Sequence, residues 1–160
     1  MPIASRPTPQ PAAASRLSEA RRVAGGGALL LALALGGCAA PRLTPQLAAE
    51  MGYEVLGARM QYDDKFTMAW IPAAAIDPAS SPLTLELARL IAPAARQPVH
   101  VAVAGDDSAF AAGVLRAACE GLGSPLPHLR LVFVGQPAHQ ALARAAVEAL
   151  GGEFYFQAMP

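Results

Sequence analysis

The chain has 160 residues, 54% of them apolar, and its 12 basic and 12 acidic side chains give a formal net charge of zero. This length suits one domain. The basic residues are scattered, without the clustered positive surface that binds nucleic acid, so we exclude a nucleic-acid partner.

The first part of the chain has the composition of a leader and not of a folded domain. Residues 1–20 are rich in proline, alanine and serine and show no apolar periodicity, which predicts a disordered leader. Arg21 and Arg22 then precede a 13-residue apolar run, Val23–Leu35. A membrane span needs about 20 apolar residues, so this run is short for one. A basic flank followed by a short apolar core predicts a signal peptide over residues 21–37.

The apolar run ends in Leu35-Gly36-Gly37-Cys38. This stretch resembles the lipobox of bacterial lipoprotein precursors, and the resemblance covers residues 21–38. It implies that the chain is cut before Cys38, that the Cys38 thiol carries a diacylglycerol, and that the new amino terminus is acylated. Ala39 follows, and a residue other than Asp at this position implies sorting to the outer membrane of a Gram-negative bacterium, on its periplasmic face. A plain secretory signal and a buried apolar helix are the alternatives.

Lipidation would divide the remaining chain into a tether over residues 38–44 and a single domain over residues 45–160. Eight basic and eleven acidic residues lie from Cys38 onward. Blocking Cys38 would leave Cys119 as the one other cysteine, so no intramolecular disulfide could form. We expect the Cys119 thiol to be buried.

The first half of the domain predicts a helix and a hairpin. Thr44 and Pro45 suit the cap and first position of a helix, and Gly52 suits its end. Tyr53–Ile71 predicts a β-hairpin that turns at Asp63-Asp64. The apolar residues that alternate along its second arm, and that we expect to face the core, are Phe66, Met68 and Trp70.

The second half alternates strands and helices. After a predicted helix at Leu83–Ala92, the predicted strands are Val99–Ala104, Leu129–Val134 and Glu153–Gln157, with a helix between each pair. Short connections between alternating strands and helices predict parallel pairing through right-handed crossovers. We therefore predict an α/β fold with a small mixed sheet of about five strands, built from a C-terminal βαβαβ unit and an N-terminal hairpin.

Polar residues follow the first two strands of the βαβαβ unit, in the segments Gly105–Ser108 and Gly135–His139. Ligands of open α/β sheets bind beyond the carboxyl ends of parallel strands. The candidate ligand-binding residues are therefore Asp106, Asp107, Ser108 and His139. Helix capping is the alternative and simpler interpretation, because Asp at a helix start satisfies unpaired N–H groups and complements the helix dipole.

The sequence contains no motif for a catalytic nucleophile, a phosphate-binding loop or a metal. The histidines His100, His128 and His139 are not spaced as metal ligands, and Cys119 lies on an apolar helix face. We predict no catalytic residue, no metal and no cofactor. The predicted function is a non-catalytic accessory or scaffold role in the cell envelope, with a lipid anchor and an envelope protein partner. A small-ligand or solute-binding module is the alternative, and a hydrolase or thiol enzyme is a second alternative.

Overall fold

The computed structural model describes residues 42–160, so the predicted leader, signal peptide and lipidation site at Cys38 lie outside the described residues. The described residues form four helices and four strands, joined in places by short 3₁₀ turns. In chain order they are α1 Pro45–Gly57, β1 Phe66–Ile71, α2 Pro82–Ile91, β2 Val99–Gly105, α3 Ser108–Leu122, β3 Leu129–Gly135, α4 Gln140–Glu148 and β4 Glu153–Ala158. The 3₁₀ turns are Pro78–Ser80, Ala92–Ala95 and Pro137–His139.

The four strands form one sheet in the order β1-β2-β3-β4, and every neighbouring pair is parallel. The α/β class and the C-terminal βαβαβ unit are thus confirmed. When strands follow in sequence with right-handed crossovers, the crossover helices lie on one face of the sheet. Helices α2, α3 and α4 cover this face, and α1 packs on the other, so the domain has three layers.

The predicted hairpin over Tyr53–Ile71 is wrong, and with it the fifth strand and the mixed pairing. Helix α1 continues through Gly52 to Gly57, and only the second arm of the predicted hairpin is a strand. Gly52 does not end the helix but lets it approach the sheet, since a Cβ there would lie 2.5 Å from the Cβ of Ala102. The residues Phe66, Met68 and Trp70 share one face of β1, as predicted, and pack in the apolar core between the sheet and α1.

Two apolar cores hold the three layers together. The larger core lies between the sheet and α2–α4, and among its fully buried side chains are Phe133, Leu131, Leu115, Ile91 and Val103. Cys119 belongs to this core and is 2% exposed, which confirms the predicted burial. The smaller core lies under α1, where Leu56 and Ala48 meet Ala102 and Val132. Over residues 42–160, no helix combines the length and the apolar character that crossing a bilayer requires.

Candidate functional site

Asp107, a predicted ligand-binding residue, is the N-cap of α3. Its Oδ1 accepts hydrogen bonds from the backbone N–H groups of Ala109 at 2.8 Å and Phe110 at 3.0 Å. An N-cap side chain satisfies N–H groups that have no partner within the helix. The capping interpretation of Asp107 is therefore confirmed.

Asp106 joins the ends of β1 and β2. Its backbone N–H donates to the Ile71 carbonyl at 3.2 Å, and its Oδ2 accepts from the Ala73 N–H at 3.3 Å. The carboxylate thus bonds to the loop that follows β1 and not to its own helix. Its side chain is exposed, so this contact fixes a surface loop.

Ser108 connects the start of α3 with the loop after β3. It is 7% exposed, and its Oγ accepts a hydrogen bond from the Gln136 N–H at 2.9 Å. His139 lies in the same loop region, half-buried at the end of the 3₁₀ turn that leads into α4. At the carboxyl edge of the sheet, Ser108 therefore contacts the loop that leads to His139. Asp106 and Asp107 form their side-chain hydrogen bonds with other segments.

No metal site emerges at this edge. Within residues 42–160, no group of three or more His, Cys, Asp or Glu side chains could hold a metal ion. Three of the four candidate residues have side-chain oxygens that bond to the fold itself. A ligand at the carboxyl edge stays a prediction.

The amino edge of the sheet holds a polar cluster that the sequence analysis missed. The strand register places His100 beside Arg130 and Arg130 beside Glu153, at the beginnings of β2, β3 and β4. We use the name amino-edge cluster for the residues Asp64, His100, Arg130, Glu153 and Tyr155. All of these side chains lie within hydrogen-bond or ion-pair distance of another member.

His100 is the buried centre of the amino-edge cluster, with 1% of the residue exposed. Its Nε2 lies 3.3 Å from Arg130 Nη1 and 3.6 Å from Asp64 Oδ2. A guanidinium only donates, so Nε2 accepts in the Arg130 contact, and the proton of the neutral ring is assigned to Nδ1. Nδ1 is itself buried and has no hydrogen-bond partner among the described residues. Burial lowers the pKa of His100; Asp64 and Glu153 oppose this shift, and Arg130 adds to it.

Arg130 links the cluster to the chain segment after α1. Its Nη1 donates to the Arg59 carbonyl at 2.9 Å, and its Nε lies 3.3 Å from Glu153 Oε2. The Tyr155 hydroxyl donates to the same Glu153 oxygen at 2.7 Å. The hydrogen bond from Tyr155, together with the charge of Arg130, lowers the pKa of Glu153. The guanidinium of Arg59 completes the arrangement, lying 4.7 Å from the ring centre of Tyr155.

A small polar cavity of about 120 Å³ opens beside the cluster. Its lining residues are Gln61, Asp64, Pro98, Pro127, His128, Arg130 and Glu153. Ligand pockets usually measure about 300–1,000 Å³, so this cavity has room for a few waters and not for an organic substrate. The groove between α2 and α3 is larger, at about 450 Å³, and its walls are mainly apolar.

The polar residues of the amino-edge cluster stand out in the sequence, but only the strand register shows that they are neighbours. His100 and Arg130 are each a single polar residue in the second position of an apolar strand, and Glu153 begins the last strand. The sequence argues against His100 as a metal ligand, because of its spacing from the other histidines. It could not place His100 beside Arg130, because pairing between strands is a long-range property.

Cys119 shows the chemistry of a structural thiol. It lies on the buried face of α3, and burial raises its pKa to about 12. The thiolate is the nucleophilic form of cysteine, so this side chain is unreactive near neutral pH.

Comparison of the chain with protein-family models, with curated proteins and with solved structures finds no match.

Proposed function

We propose that the chain is a lipid-anchored bacterial envelope protein on the periplasmic face of the outer membrane. In this proposal Cys38 carries the lipid, and the α/β domain has a non-catalytic accessory role beside an envelope protein partner. The observation that carries the proposal is Leu35-Gly36-Gly37-Cys38 at the end of a 13-residue apolar run that follows a basic pair. Several acyl chains, each contributing about 0.8 kcal/mol per buried methylene, give stable attachment to a bilayer.

The distance along the chain between Cys38 and the domain is short. Thr44, the N-cap of α1, follows Cys38 by six residues. Six residues span at most about 20 Å when fully extended. A lipid on Cys38 would therefore keep the domain near the membrane surface, where a partner in the same membrane is within reach.

The chemistry of the described residues supports an accessory role over catalysis. Asp107 and Asp106 bond to backbone N–H groups, and Cys119 is a buried thiol with a raised pKa. The amino-edge cluster pairs its acids with Arg130 and Tyr155, next to a cavity of about 120 Å³. These arrangements favour a structural part for the polar groups of both sheet edges.

Metabolic labelling with a radioactive fatty acid tests the anchor, with the other cysteine as the matched control. Cys38→Ala is expected to remove the label and release the protein from the membrane fraction. Cys119→Ala is expected to keep both, because that thiol is buried in the domain. Label that persists in the Cys38→Ala protein, or is lost in the Cys119→Ala protein, would contradict the proposal.

Crosslinking in intact cells tests the accessory role. A photoreactive residue at Leu85, which is 55% exposed, would sample the surface of α2 without disturbing a buried contact. The expected result is one crosslinked protein of defined size, which disappears when Cys38→Ala moves the domain off the membrane. Tight binding of a small solute by the purified domain, abolished by Asp106→Asn, would favour the ligand-binding alternative instead.

A further inference from the structure

We propose that His100 is a proton-sensitive latch for the connection between α1 and β1. When the ring takes up a proton, its contact with Arg130 is replaced by one with Asp64. The hydrogen bond from Arg130 to the Arg59 carbonyl is then weakened. The proposal concerns the domain alone and does not depend on lipidation at Cys38.

The latch acts on the connection Ala58–Lys65, which joins α1 to β1. Arg130, on β3, donates to the Arg59 carbonyl at 2.9 Å. Asp64 accepts from the Gln61 N–H at 2.8 Å, which fixes the turn, and the same oxygen lies 3.6 Å from His100 Nε2. The connection therefore contacts the sheet at two points, at Arg59 through Arg130 and at Asp64 directly. Arg130 and Asp64 both contact the same atom, His100 Nε2.

The two protonation states of His100 cannot keep both contacts. In the neutral ring, Nε2 accepts from the Arg130 guanidinium. In the imidazolium, Nε2 becomes a donor, and its acceptor in the cluster is the Asp64 carboxylate. Arg130 then faces a like charge at a distance of 3.3 Å, which disfavours its present position. Moving this guanidinium breaks its bond to the Arg59 carbonyl.

Charged groups reach His100 from several packed segments. Asp64 comes from the connection, Arg130 from β3 and Glu153 from β4, while Arg59, also in the connection, lies beyond Arg130. The acids favour the imidazolium and Arg130 disfavours it, so these charges partly cancel. Burial therefore sets the direction of the shift. It favours the neutral ring and lowers the pKa of His100 below the ordinary value of about 6.5.

Release of the connection would loosen the C-terminal end of α1. Among residues 42–160, this helix is the one that covers its face of the sheet, over Phe66 and Ala102. The ring of Tyr53 packs edge-on against that of Phe66, with centres 5.7 Å apart. Mild acid is therefore expected to open the end of α1 nearest His100 before the rest of the domain.

Amide hydrogen exchange, followed by mass spectrometry and corrected for the intrinsic pH dependence of exchange, tests the latch. Between about pH 7.5 and about pH 4.5, a range that extends well below the ordinary histidine pKa because burial lowers the pKa of His100, protection of residues 58–65 is expected to fall several-fold. Protection of β3, in the centre of the sheet, is expected to stay constant. His100→Gln should remove the pH dependence, and the control His139→Gln, at the opposite edge of the sheet, should retain it.

A second variant keeps the test decisive if His100→Gln fails to fold. Asp64→Asn removes the carboxylate charge that favours the imidazolium, so the loss of protection should move to lower pH. The proposal is overturned if the wild-type connection shows no pH dependence, or if His100→Gln or Asp64→Asn leaves that dependence unchanged. Loss of protection in β3 at the same pH would also overturn it, because that result indicates general acid unfolding.

Discussion

The Oγ of Ser108 accepts a hydrogen bond from the backbone N–H of Gln136 at 2.9 Å, so the first residue of α3 is tied to the loop that follows β3. Ser108 was predicted to meet a ligand, and the structure gives it a fold contact at that edge of the sheet. Because Ser108 is buried, we expect the junction between α3 and β3 to depend on this hydrogen bond.

Ser108→Ala is expected to destabilise the domain by about 1–3 kcal/mol, because the Gln136 N–H loses its acceptor in a partly buried site. Urea unfolding measures the change. The control Ser124→Ala, at an exposed position, should stay within about 0.5 kcal/mol of wild type. Equal stability of the two variants would mean that the Ser108 bond contributes nothing.

Asp107→Ala is expected to cost about 1 kcal/mol in the same measurement, since the cap of α3 loses both of its bonds. Asp106→Ala should cost less, because its one side-chain bond goes to an exposed loop. A larger loss for Asp106 than for Asp107 would contradict the capping assignment.

Two helical glycines should respond to alanine with opposite signs. Gly52→Ala is expected to destabilise the domain, because the new Cβ would press α1 away from Ala102. Gly121→Ala, in α3, meets no heavy atom within 4 Å. It should stabilise the domain by about 0.5–1 kcal/mol through the better helix propensity of alanine. Thermal unfolding of both variants checks the prediction, which fails if Gly52→Ala is neutral.

Gly52 also shows why the first half of the domain was predicted less well than the second. The βαβαβ unit could be predicted because its apolar strands and short loops are local signals. A glycine within an apolar helix face looks like a terminator unless the close approach of α1 to the sheet is known. The strand-like alternation of Phe66, Met68 and Trp70 was correct, but the first arm of the predicted hairpin is the end of α1 followed by the connection over residues 58–65.

The candidate site was predicted in the same uneven way. Asp107 was placed at a helix start and is found there as a cap. The contacts of Asp106 with the loop after β1, and of His100 with Arg130, join segments distant in sequence. They depend on which strands are neighbours and in what register, and composition and spacing do not contain this information.

The stability of the domain is expected to decrease as the pH falls below about 6.5, the ordinary pKa of histidine. Burial lowers the folded-state pKa of His100, so in this range the unfolded chain binds a proton that the folded chain does not. Above that pH the ring is neutral in both states and has no effect. Urea unfolding at a series of pH values measures the slope, and His100→Gln should make it shallower. An unchanged slope in that variant would contradict the assignment.

Cys119 is expected to resist thiol reagents in the native protein and to react fully after denaturation. Burial and a pKa of about 12 leave almost no accessible thiolate at neutral pH. Absorbance after addition of a chromogenic disulfide reagent measures the rate. Complete reaction in the native state within the dead time would contradict a structural role and revive the thiol-enzyme alternative.

The intact mass of the protein extracted from the membranes of its native host, or of a Gram-negative expression host, tests the proposed lipid anchor most directly. The account predicts a chain that begins at Cys38 and carries the added mass of a diacylglycerol and an amide-linked acyl chain. An unmodified chain that retains residues 1–37, or one cut at another position, would contradict it.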